Sequence, residues 1–210
     1  MDSEDVSVLN VSLVGSGERI IKVEETADNT CKDIHLENFL AHHVGYLTAG
    51  SGNPDIYTVE IRSENTGTVF EGVDNVSIAR GLVALDSQPA GLSNYESAVL
   101  IESDQANIDQ LTIRYNGSTV QSLRALLYLS RCDDSTLRRI TMSSEASVRA
   151  GYWNDVHGCI AKDLQVDTSD SEFRVEADCT GIFIDYVTAR SGFETPIQNI
   201  INTPHLVLFE

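Results

Sequence analysis

The stretch Val73-Asp-Asn-Val-Ser-Ile-Ala-Arg-Gly81 carries the pattern from which the fold is predicted. Apolar and polar residues alternate or nearly alternate along it, as in a strand with one buried face. Similar short apolar runs, bounded by Gly, Asn, Asp and Ser, recur at 34–36, 111–113, 140–142, 164–166 and 182–184. Helical periodicity is weak almost throughout. The sequence therefore predicts a solenoid of stacked strands rather than a βα repeat.

The four cysteines suggest how successive coils align. Each precedes an aliphatic residue by five positions, in the pairs Cys31 and Leu36, Cys132 and Leu137, Cys159 and Leu164, Cys179 and Ile184. Equivalent positions of neighbouring coils lie about 4.8 Å apart, so we expect the thiols to stack in the interior as small apolar residues. No Cys-x-x-Cys pair or metal-like spacing is present. Neither a disulfide nor a metal or cofactor site is expected.

Three segments of the chain resemble the pectate-lyase-like superfamily, above all the β-helices of viral tailspikes and turrets. They are residues 73–81, 106–113 and 159–166, and the resemblance covers roughly residues 70–190. It implies an all-β fold, a single-stranded right-handed parallel β-helix, which we place at residues 31–195. The resemblance implies no single activity, because many unrelated functions use this scaffold.

The two ends of the chain differ from this pattern. Residues 1–30 include two apolar runs joined by Gly15-Ser-Gly17, which predicts an N-terminal arm or hairpin for attachment or oligomerisation. Apolar residues within 31–47 have helical spacing, so a short capping helix over the first open edge is a further possibility. Residues 196–210 predict a tail that caps the last coil or docks onto a neighbouring chain.

The charge composition narrows the choice of partners. There are 32 acidic residues against 14 basic ones, giving a net charge of −18, and only Lys22, Lys32 and Lys162 are lysines. Acid-rich, lysine-poor surfaces are typical of proteins from halophiles, where molar salt quenches self-repulsion; the alternative is an ordinary acidic surface. Nucleic acid is an unfavourable partner. No apolar run is long enough to insert in a membrane, and the acidic residues 1–5 are unlike a signal peptide.

Candidate catalytic groups were sought among the acids. Glycoside hydrolysis needs two carboxyl groups roughly 5–9.5 Å apart. In the register set by the cysteines, no two acids stack on adjacent coils, which argues against a hydrolase. If the chain is an enzyme, the candidate acids are Asp133, Asp134, Asp155 and Asp178. Asp133 and Asp134 are followed by Ser135 and Thr136, which indicates a turn.

Carbohydrate binding has one strong candidate cluster. Sugars bind to aromatic rings with polar neighbours, and Tyr152, Trp153 and Asn154, followed by His157, provide them in a segment expected to be a loop before Cys159. The alternative is that Trp153, the only tryptophan, packs against the edge of a coil.

Two functions stay open. The first is a viral structural or adhesion protein: a spike, turret, tail-fibre or capsid-decoration module on the virion surface, homotrimeric, in contact with other virion proteins and with a host surface glycan or glycoprotein. The second is a polysaccharide depolymerase, either a glycoside hydrolase or a lyase. The short chain and the missing stacked acids favour the first.

Overall fold

The structure, a computed structural model, describes residues 5–15, 20–25, 31–44, 58–63, 73–86, 97–117, 125–146, 148–168, 173–176, 178–189 and 208–209. These residues form fifteen strands and no helix, and the strands lie in two all-parallel sheets. From β3 to β14, successive strands of the chain alternate between the two sheets. The predicted all-β parallel β-helix is therefore confirmed.

The strands, in chain order, are β1 Ser7–Leu9, β2 Ser12–Gly15, β3 Ile21–Glu25, β4 Lys32–His43, β5 Val59–Ser63, β6 Asp74–Leu85, β7 Ser97–Ile101, β8 Ala106–Tyr115, β9 Ala125–Asp133, β10 Thr136–Ser144, β11 Gly151–His157, β12 Ile160–Asp167, β13 Phe173–Val175, β14 Phe183–Ala189 and β15 Leu208–Phe209. Sheet 1 contains β1, β2, β15 and the even-numbered strands from β4 to β14. Sheet 2 contains the odd-numbered strands from β3 to β13.

A residue with a left-handed backbone interrupts each long strand of sheet 1. These residues lie in register on five consecutive strands, with φ between 51° and 57°: Asn38, Arg80, Gln110, Arg139 and Asp163. The left-handed residue shifts the alternation of the strand by one position, so two successive side chains face outward there. In β4, Leu36 is buried before the shift and Phe39 after it, with Glu37 and Asn38 on the outer side. We call this set the left-handed column.

The core is continuous along the solenoid. Inward positions of both sheets are filled by aliphatic residues, and the largest buried side chains are Trp153 and Phe173 in adjacent strands of sheet 2. Two aromatic rings lie against glycines of neighbouring coils: Phe39 against Gly81 and Phe173 against Gly151. In both pairs a missing side chain makes room for the ring, which allows the strands to keep their spacing.

The cysteines occupy the core as predicted. Cys132, Cys159 and Cys179 are buried, Cys31 is half-buried, and none forms a disulfide. Three of them follow one register, because Leu36, Leu137 and Ile184 align in a single column.

Cys159 does not follow that register. Its five-residue partner, Leu164, aligns with Ile140 rather than with Leu137. Two left-handed residues explain the error. Gly158 separates the inward residues Val156 and Cys159 by three positions. Asp163 separates the next inward pair, Ala161 and Leu164, in the same way, so a step of five residues from either inward residue of the first pair reaches an inward residue of the second. The five-residue spacing alone therefore could not show which of the two positions Cys159 occupies.

Two predictions for the N-terminal region are wrong. β1 and β2 pair in parallel with β4, and β3 pairs in parallel with β5, so the described strands between residues 7 and 25 do not pair as a hairpin. Residues 32–43 form β4 instead of a capping helix. Their helical spacing arises because the left-handed Asn38 separates two inward residues, Leu36 and Phe39, by three positions. The attachment role of residues 1–30 stays a prediction, as does the docking role of the tail, of which only β15 is described.

Candidate functional site

β11 contains the residues predicted to contact carbohydrate, and the alternation of the strand separates them. Trp153 points into the core: it is 1% exposed and its ring centroid lies 5.9 Å from that of Phe173. The prediction that Trp153 lies in a loop is wrong, because β11 pairs with strands on both sides. Tyr152, Asn154 and His157 are half-buried at the surface. Their role in carbohydrate binding stays a prediction.

Tyr152 is held firmly on the outer face of sheet 2. Its ring meets that of Tyr128 edge-on at 5.1 Å, and the guanidinium groups of Arg149 and Arg174 each lie 5.7 Å from its centroid. Its hydroxyl donates to Glu176 Oε1 at 2.7 Å. Because neighbouring cations occupy positions over the ring, Tyr152 is a fixed part of this surface rather than an open platform for a sugar.

The candidate acids gather at the end of β11. Counting back from the His157–Thr180 bridge places Asp155 opposite Asp178 on the next coil, and the Asp155 N–H donates to Asp178 Oδ1 at 3.3 Å. The prediction that no acids stack on adjacent coils is therefore wrong. The register through Cys159 was the cause, since it aligned Asp155 with Val175. Asp134 has φ 46° between β9 and β10, which confirms the predicted turn.

A hydrogen-bonded chain of three side chains starts from this cluster. His157 Nε2 lies 3.2 Å from Asp155 Oδ1, and His157 Nδ1 lies 2.8 Å from the hydroxyl of Thr180. On the other side, His157 pairs in register with Asp133 of β9. Sequence reasoning selected His157 and the acids separately, for different chemistries. It missed Thr180, which no motif distinguishes.

Two buried acids on the outer side of sheet 2 were also missed. Glu60 is fully buried, with its Oε1 3.2 Å from Arg62 Nε. Glu102 is 6% exposed and accepts a hydrogen bond of 2.8 Å from Arg131 Nη2. Burial raises the pKa of Glu102, and Arg131 only partly offsets the effect. The sequence shows Glu60 between two inward residues of a strand, but nothing in it shows that this outer face is buried.

A polar groove of about 760 Å³ crosses the outer face of sheet 1 after the left-handed column. Two rows of side chains run across β8, β10 and β12: Thr112, Thr141 and Gln165 in one, Arg114, Ser143 and Asp167 in the other. The groove is lined by Arg114, Tyr115, Asn116, Thr141, Ser143, Ser144, Glu145, Gln165, Val166 and Asp167. Its volume lies in the range of ligand sites, and it offers hydroxyl, amide, carboxylate and guanidinium groups together.

The comparisons with known proteins identify no relative. No protein-family model, curated protein or solved structure matches the chain significantly. Within the described ranges, no helix is long and apolar enough to cross a membrane. The same residues contain no group of three His, Cys, Asp or Glu side chains placed to hold a metal ion.

Proposed function

We propose that the chain is a glycan-binding adhesion module of a virion surface, and that the groove across β8, β10 and β12 binds the glycan. The observation that carries this proposal is the polar lining of the groove on three adjacent coils. Sugars present hydroxyl groups that both donate and accept, and the lining offers donors and acceptors at the strand spacing of about 4.8 Å.

Charge supports a glycan over other extended polymers. A net charge of −18 repels nucleic acid phosphates. Arg114 is exposed in the groove and forms no ion pair with any residue that the structure describes, although the chain carries 32 acidic residues. Its guanidinium group is therefore available to donate hydrogen bonds to a ligand.

The second part of the proposal is that copies of the chain associate through the outer face of sheet 2. Oligomers of identical chains close by symmetry, and interface hot spots are enriched in Tyr and Arg. Tyr152, Arg149 and Arg174 form such a patch on the outer face of sheet 2, and Arg174 is 44% exposed. We propose a homotrimer, with salt reducing the repulsion between the chains.

Retention on host cells and on their isolated surface polysaccharide tests the groove. We expect the Ser143→Ala/Gln165→Ala variant to bind about tenfold or more weakly than wild type, because each lost hydrogen bond is worth roughly 1 kcal/mol. Gln105→Ala, at an exposed position between β7 and β8 outside the groove, is the matched control. Equal binding by wild type and the groove variant, or equal loss in the control, would contradict the proposal.

The depolymerase alternative has one specific observation in its favour, the stacking of Asp155 on Asp178. Each carboxylate already takes part in a hydrogen bond, Asp178 with the Asp155 N–H and Asp155 with His157. Release of new sugar ends from the same polysaccharide decides between the functions. Cleavage that disappears in Asp178→Asn would replace the adhesion proposal with the hydrolase.

A further inference from the structure

We propose that Thr180, His157 and Asp155 form a nucleophilic site that hydrolyses carboxylic esters, such as O-acyl groups on a glycan. The three side chains come from two adjacent coils: Asp155 and His157 from β11, and Thr180 from the segment that leads into β14. This inference does not depend on glycan binding in the groove, which lies on the other sheet.

The hydrogen bonds fix the roles of the two imidazole nitrogens. A carboxylate can only accept a hydrogen bond, so the Nε2 atom 3.2 Å from Asp155 Oδ1 carries the proton. In the neutral ring, Nδ1 is then an acceptor, and the Thr180 hydroxyl donates to it at 2.8 Å. A hydroxyl on a base that is oriented by a carboxylate is the arrangement that activates Ser and Thr nucleophiles.

The surroundings leave the hydroxyl accessible and place further acidic residues near the base. Thr180 is exposed. The next residue, Gly181, lies opposite Gly158, so neither coil carries a side chain beside the hydroxyl at that position. Asp133 pairs in register with His157, and Asp178 lies beside Asp155. Acidic residues therefore lie in register with the histidine or beside its partner on both neighbouring strands.

The reaction has two balanced steps. The Thr180 Oγ attacks the ester carbonyl carbon while His157 Nδ1 takes the hydroxyl proton; the bond from that carbon to the alcohol oxygen breaks, and the alcohol leaves with the proton from His157. A water molecule then attacks the acyl-threonine with His157 again as the base. This step releases the carboxylic acid and restores the Thr180 hydroxyl. Asp155 orients the ring throughout through its hydrogen bond with Nε2.

Covalent labelling and ester hydrolysis test the site in the full chain. Wild-type protein is treated with a fluorophosphonate probe, and the modified residue is mapped by mass spectrometry; p-nitrophenyl acetate hydrolysis is measured in parallel. We expect one adduct, on Thr180, and a fall of about 10²-fold or more in the hydrolysis rate in Thr180→Ala and in His157→Gln. Thr180→Ser should retain both hydrolysis and labelling. Ser77→Ala, which changes an outward hydroxyl residue of β6 outside both proposed sites, is the control and should match wild type.

Several results would overturn the proposal. An adduct on another residue, no adduct on wild type, or hydrolysis by Thr180→Ala at the wild-type rate each excludes Thr180 as the nucleophile. Circular dichroism of each variant shows whether it is folded. If Thr180→Ala does not fold, the adduct on wild type and the activity of Thr180→Ser still decide the question.

Discussion

Gly81 allows a direct test of the packing between coils. A methyl group added to this residue would lie 2.5 and 2.6 Å from two ring carbons of Phe39 and 2.9 Å from Leu111 Cδ1. Carbon atoms pack at about 3.5–4.0 Å, so the Phe39 ring has to move by about 1 Å. Phe39 is 4% exposed and Leu111 1%, and a dense core leaves little room for this movement.

We therefore expect Gly81→Ala to lower the free energy of unfolding by about 1–3 kcal/mol, the usual cost of overpacking. In a chain of this length each kcal/mol lowers the melting temperature by about 2–4 °C. Thermal unfolding followed by circular dichroism in high salt measures the change. Gly15→Ala is the matched control, because among the described residues its new methyl group would meet only Ile20 Cδ1, at 3.4 Å, an ordinary contact.

A second substitution tests whether the Phe39 ring causes the destabilisation by Gly81→Ala. Phe39→Leu removes most of the ring, so Gly81→Ala should cost about 1 kcal/mol less in that background than in wild type. Identical melting of Gly81→Ala and Gly15→Ala would refute the packing argument. Strictly additive effects of the two substitutions would refute the role assigned to Phe39.

Three further predictions follow from burial and charge. Burial raises the pKa of Cys132 to about 12 and also raises that of Cys159, so both thiols should resist iodoacetamide in the native protein and react once it unfolds; alkylation of the folded protein at pH 8, mapped by mass spectrometry, would contradict this. Because the pKa of Glu102 is raised in the folded state, the folded protein keeps this carboxyl protonated at pH values above 4.5, its pKa in the unfolded chain. The stability that this protonated carboxyl contributes is present at low pH and is lost as the pH rises through the folded-state pKa. The free energy of unfolding of wild type, relative to that of Glu102→Gln, should therefore fall from pH 4 to 7. A constant or rising difference would show that the Arg131 ion pair dominates. Below about 0.5 M salt, weaker screening should dissociate the proposed trimer and partly unfold the chain. Sedimentation and melting that do not change with salt would remove the halophilic interpretation.

The sequence predicted the strands better than their register. Runs such as residues 73–81 alternate clearly because one face of each strand is buried, and this property is local. The left-handed column was not predictable, since Arg80, Gln110 and Arg139 are residue types that seldom adopt positive φ. Stacking on the neighbouring coils, which is not a local property, holds them there. The error in the cysteine register came from two such shifts, one at Gly158 between β11 and β12 and one at Asp163 within β12.

The candidate site shows the same limit. The acids and His157 were found by residue type, and they do lie together, but their contacts depend on which coil positions align. Trp153 was assigned to a loop because its neighbours are polar; the alternation of β11 then turns those neighbours outward and Trp153 inward. Glu60 and Glu102 were missed because the burial of an outer face depends on distant parts of the chain.

The aligned positions also show where the chain tolerates a change of length. Leu36, Ile78, Ile108, Leu137, Ala161 and Ile184 stack directly although they follow one another at intervals of 42, 30, 29, 24 and 23 residues. All of this variation in chain length falls in the segments between the strands of sheet 1. The number of residues from a left-handed residue to the next inward residue does not vary. Foreign peptides inserted between β4 and β5, or between β5 and β6, should therefore be displayed without disturbing the stack, whereas deletion of Asn38 alone would reverse the facing of every later residue in its strand.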